Sequence, residues 1–151
     1  MSVCDTPVTL VLDTNVVLDW LVFRDASVLP LAAARQRGRA AWLACARMRD
    51  ELEHVLTRGS LDAWAPDREY VLSTWERWAQ PVEPPPCGAG GRLRCTDPDD
   101  QVFLDLAMQH RATALLSRDR ALLRLAGAAR RVGLLVLTPQ AWARSAVGQP
   151  A

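Results

Sequence analysis

The short run Val8–Leu12 (VTLVL) ends directly in an acid, Asp13, and this junction narrows the fold more than anything else in the chain. A continuous apolar stretch of that length, rich in β-branched residues, is characteristic of a strand buried on both faces. Helical patterning follows at once over Asn15–Phe23, with Thr14 as its expected cap. A buried strand leading straight into a helix is the opening unit of an α/β protein.

The rest of the chain repeats the alternation. Pro30 fits the first turn of a second helix that ends before Gly38, and Ala40–Cys45 is a weaker strand candidate. Ala46–Arg58 is helical, with Met48, Leu52, Val55 and Leu56 forming one apolar stripe. Pro66 is expected to open a helix carrying Tyr70, Val71, Trp75 and Trp78. Pro81–Gly91 reads as a loop, with a short extended piece near Val82. Asp97-Pro98-Asp99-Asp100 is a helix start, capped by Asp97 and running to about His110. Ala114–Ser117 is a strand, Arg118–Ala126 a helix, Gly133–Leu137 a last strand, and Thr138-Pro139 starts a terminal helix. The expected architecture is an α/β three-layer sandwich around a central, mostly parallel sheet. One domain over residues 3–146 is expected, with a tail at 147–151.

Composition removes several classes. The 151 residues, half of them hydrophobic, are enough for one real core. A net charge of +1 gives no global pull toward nucleic acid, although a local basic surface is compatible with it. All eighteen basic residues are arginine, so chemistry that needs a lysine ammonium is excluded. Cys4, Cys45, Cys87 and Cys95 lack C-x-x-C spacing and have only His54 and His110 to assist them, which argues against structural zinc and for free thiols. Asp5 and Pro7 interrupt any leader pattern, and no apolar stretch is long enough to span a bilayer; a cytoplasmic location is expected.

Four acids stand where such a chain gathers ligands. Asp13 and Asp119 follow strands, Asp100 opens a helix, and Glu51 lies on one. Parallel sheets bind ligands outside the carboxyl ends of their strands, where strand order reverses. Acids crowded there repel one another and lose water, and a divalent cation with its demand for oxygen ligands is the usual reason to tolerate them. Each acid also has a structural reading. Asp13 and Asp119 could cap helices, although Thr14 or Asn15 could cap in place of Asp13. Glu51 flanks the apolar stripe and is equally a border residue or a cleft residue. Asp99 stacks over Phe103 and Leu106, and Asp100 over Leu104 and Ala107, so helical phase leaves this pair unresolved. Asp105 falls between Gln101 and Gln109 on the polar side.

The motifs resemble those of a known family. Leu12-Asp13-Thr14-Asn15-Val16 is similar to the opening motif of PIN-domain nucleases, and Glu51-Leu52 with Val55-Leu56 to the second acidic motif. Asp97-Pro98-Asp99-Asp100 with Phe103-Leu104 resembles the third motif of a bacterial subgroup. Leu116-Ser117-Arg118-Asp119-Arg120 resembles the fourth, with serine in place of the commoner threonine. The match spans roughly Val8 to Leu137. That subgroup is labelled as toxin components of toxin–antitoxin systems. The resemblance implies an acidic site of Asp13, Glu51, Asp100 and Asp119, and it selects Asp100 over Asp99. Asn15, Ser117, Asp97 and Asp99 would support that site. It also implies Mg²⁺ or Mn²⁺, single-stranded RNA as the usual substrate, a cognate antitoxin partner and a homodimer.

The expected reaction is phosphodiester hydrolysis by metal-activated water. Arg118 and Arg120, beside Asp119, are weak candidates for phosphate contacts, whereas Arg35, Arg37 and Arg39 read as a solvated helix end. Trp20, Trp75 and Trp78 are expected to pack. Other folds that place an acid after a strand fit poorly. A haloacid-dehalogenase-like phosphatase wants an acid where Asn15 stands, and both it and a receiver domain use lysine; no P-loop motif is present. The alternative outside enzymes is a PIN-like nucleic-acid- or protein-binding module with little or no activity.

Overall fold

Strand β1 (Val8–Leu12) lies at the centre of a five-stranded sheet, and its apolar run is buried from Leu10 onward. It pairs in parallel with β2 (Ala40–Ala44) on one side and β4 (Ala114–Leu116) on the other. In register, Leu10 stands beside both Trp42 and Ala114. Strands β3 (Ala79–Pro81) and β5 (Leu135–Leu137) complete the parallel order β3-β2-β1-β4-β5. The computed structural model describes residues 7–59, 61–86 and 88–145. Cys4, Cys87, the expected boundaries at residues 3 and 146, and the tail lie outside them.

Helices flank the sheet: α1 (Thr14–Leu21), α2 (Leu29–Gln36), α3 (Ala46–Thr57), α4 (Arg68–Trp78), α5 (Gln101–Gln109), α6 (Arg120–Leu123), α7 (Ala126–Arg131) and α8 (Pro139–Arg144). The expected stretch near Val82 is real. Pro81 sits in the edge strand, where a missing N–H is tolerated, and Val82 N–H donates to Ala44 O at 2.9 Å. Trp42 on β2 meets Trp20 and Trp75, with ring centroids 5.7 and 6.1 Å apart. Trp75 is thus a core residue. Trp78 packs at the edge, with Arg35 and Arg77 guanidinium groups 4.6 and 4.8 Å from its ring. No helix of the described residues is long and apolar enough to cross a membrane.

Three expectations need correction. Helix α4 begins at Arg68 rather than Pro66, because Asp67 accepts the Tyr70 N–H at 3.0 Å and caps it. The helix expected over 118–126 is two, since Leu125 leaves helical geometry between α6 and α7. Asp105 is not on a solvated face but 9% exposed. The proline- and glycine-rich loop covers it: Asp105 Oδ1 accepts from Gly90 N–H at 2.8 Å and from Gln101 Nε2 at 2.9 Å. Gln101 also donates to Leu93 O and accepts from Cys95 N–H, at 2.9 and 2.7 Å. These bonds pin the loop that delivers Asp97 to the sheet edge.

Candidate metal centre

Sheet order reverses between β1 and β4, so the residues after these two strands face one crevice. Asp13 leaves β1 in an extended conformation and is itself the cap of α1, its Oδ1 accepting from Val16 N–H at 2.9 Å. Thr14, the expected cap, is already helical. Its hydroxyl instead donates to Glu51 Oε2 at 2.8 Å, tying the acid of α3 to the start of α1. Asp119 likewise caps α6, with Oδ1 accepting from Ala121 N–H at 2.8 Å. Capping and site membership are not alternatives here. A carboxylate offers about four lone-pair positions, and a cap consumes one.

Ser117 joins the two strand-end acids. Fully buried, it donates its hydroxyl proton to Asp13 Oδ2 and accepts Asp119 N–H at 2.9 Å. Asp13 is only 2% exposed, and loss of water raises its pKa to about 6 against the lowering effect of the Ser117 and Val16 hydrogen bonds, with Asp119 and Asp19 adding repulsion. Asp100 rises to about 7, through desolvation first, then hydrogen bonding and repulsion with Asp119 and the charges of Asp97 and Asp13.

Asp97 caps the 3₁₀ turn Pro98–Asp100 by accepting Asp99 N–H at 3.0 Å. That turn brings one carboxylate oxygen each from Asp97, Asp100 and Asp119 within 4.8 Å of one another. Asp13, Thr14, Asn15, Glu51 and Asp99 line the same cleft, whose volume is about 600 Å³. A family model for the PIN domain matches residues 9–121 of this chain. The chain belongs to the PIN-domain family. A comparison with curated proteins returns no match. PIN domains are generally metal-dependent nucleases, and the present residues fit a divalent cation. The Asp100 Oδ2 atom is buried with no hydrogen-bond partner. Asp100 also belongs to an all-oxygen donor set with Asp97 and Asp119, which suits hard cations.

The remaining candidates of this PIN domain are placed less centrally. Arg118 and Arg120 are absent from the cleft lining. Arg118 Nη2 pairs with the buried Asp19 at 2.6 Å, and Asp19, raised in pKa mainly by burial, keeps Oδ2 without a partner. Arg35 donates to Trp78 O at 3.1 Å and so has a packing role. Sequence reasoning missed four further residues that line the cleft: Phe23, His54, Arg58 and Leu61. His54 had a usable signal, since it lies one turn beyond Glu51 on the same helix.

Proposed function

We propose that this PIN domain is a cytoplasmic Mg²⁺- or Mn²⁺-dependent endoribonuclease acting on single-stranded or structured RNA, the toxin of a toxin–antitoxin pair. The observation that carries the reading is the convergence of Asp97, Asp100 and Asp119, together with an Asp100 oxygen that is buried and unpartnered. Asp100 and Asp119 would hold the cation with Asp97, and Asp13 and Glu51 would complete the acidic wall. A bound divalent cation supplies charge against the phosphodiester and lowers the pKa of water.

The chain's own groups orient that wall. Ser117 fixes Asp13 against Asp119, and Thr14 aims Glu51 from the neighbouring helix. Without a cation, Asp100, raised to about 7 chiefly by loss of water, keeps its proton up to near neutral pH.

Cleavage of labelled RNA by the purified chain is the test. Mg²⁺ or Mn²⁺ should be required, EDTA should stop the reaction, and Asp13→Asn and Asp100→Asn should abolish it. RNA binding without metal-dependent cleavage would replace this reading with an inactive binding module. The toxin role is checked by co-expression with the product of the adjacent reading frame, which should restore growth and suppress cleavage. Homodimerisation would use the outer side of α4, where Tyr70 is exposed, and sedimentation measures it.

A further inference from the structure

The acid cleft is lined by apolar side chains as well as carboxylates: Leu18, Phe23, Val55 and Leu61. Phe23 carries this apolar lining on to Trp64, with ring centroids 4.7 Å apart and planes at 68°. That edge-to-face contact holds the indole in one orientation, yet Trp64 remains 59% exposed. The chain turns immediately after it through Ala65, at φ 45° and ψ 57°. A left-handed conformation is costly for a residue with a Cβ, so the fold keeps a strained turn beside a large uncovered ring.

We propose that Phe23 and Trp64 form a stacking platform for an unpaired base of the substrate strand, a subsite beside the acidic cleft. The proposal rests on the nuclease reading above for the adjoining acids. A base inside a duplex has both faces covered by its neighbours, whereas an unpaired base can lay one face on an aromatic ring. The neighbouring residues match such a ligand. His54 and Arg58 line the same cleft and carry N–H donors suited to phosphate oxygens.

The test is fluorescence anisotropy of three labelled RNAs of equal length, titrated with the full chain in Ca²⁺: a single strand, an abasic single strand and a duplex. Trp64→Ala should weaken binding of the base-bearing strand by roughly ten-fold or more, the worth of one stacked base. Binding of the abasic strand and the duplex should not change. Trp64→Phe should retain most of the affinity. Phe23→Leu, which keeps apolar volume and removes the supporting ring, should show a smaller loss of the same kind. Equal binding of the base-bearing strand by wild type and Trp64→Ala overturns the platform, as does an equal loss for the abasic strand. Cleavage by the wild type is scored separately: base-dependent binding through Trp64 without any metal-dependent cleavage keeps the platform and removes the nuclease reading.

Discussion

Ser117 donates its hydroxyl proton to Asp13 across the β1–β4 junction, so the residue after one strand fixes the acid after its neighbour. The same oxygen accepts Asp119 N–H at 2.9 Å, and one buried hydroxyl therefore sets the spacing of two acids more than a hundred residues apart in sequence. Ser117→Ala leaves Asp13 Oδ2 without its donor in a buried site. The expected cost is about 1–3 kcal/mol in urea unfolding, with a fall in cleavage of roughly 10–100-fold. Ser117→Thr keeps the hydroxyl and should preserve most activity.

Metal and pH should act on stability through the same acids. Asp13 and Asp100, at about 6 and about 7, bind protons more tightly in the fold than an ordinary aspartate, at 3.8, does in the unfolded chain. Their contribution is therefore fully present below the unfolded value and is lost as the pH rises through 6 to 7. In EDTA, thermal unfolding should fall between about pH 5 and about pH 8, with roughly 1–2 kcal/mol from Asp13 alone. Mg²⁺ should restore the most at the higher pH, where the ligands are ionised. Asp100→Asn should flatten the profile.

Asp99 and Asp100 separate cleanly by experiment. Asp100 holds a buried, unpartnered oxygen, while Asp99 is exposed. Asp100→Asn should reduce cleavage by more than about 100-fold, beyond the usual effect of a supporting group, and Asp99→Asn by less than about 10-fold. Isothermal titration with Mn²⁺ should show the same order in affinity.

Thr14→Val removes the hydroxyl that holds Glu51 while keeping a similar volume. Helix α1 retains its cap, because Asp13 supplies it. Unfolding should change little, and cleavage should fall by roughly 10-fold, the usual range for an orienting partner. Equal loss of stability and activity would mean that the bond serves packing alone.

Gly90→Ala tests the loop that delivers Asp97. A Cβ there would lie 2.5 Å from Asp105 Oδ1 and 3.1 Å from Leu93 O. Asp105 cannot swing away without breaking the bonds to Gly90 N–H and Gln101. A loss of about 1–3 kcal/mol in chemical unfolding is expected, together with weaker Mn²⁺ binding.

The sequence by itself determined the strand–helix alternation, the parallel sheet and the motif acids, because these are local: the run Val8–Leu12 must be buried on both faces, and Asp97-Pro98 must start a helical turn. Only the tertiary structure decided what depends on contacts distant in sequence. Periodicity placed Asp105 in water, and the loop through Gly90 buried it. Local rules offered Asp13 a choice between cap and ligand, whereas the fold gave it the cap and Ser117 together. The acid junction after β1 became a site when β4 paired beside β1 and brought Asp119 to it. That pairing is set by burial across the whole sheet, which no single motif encodes.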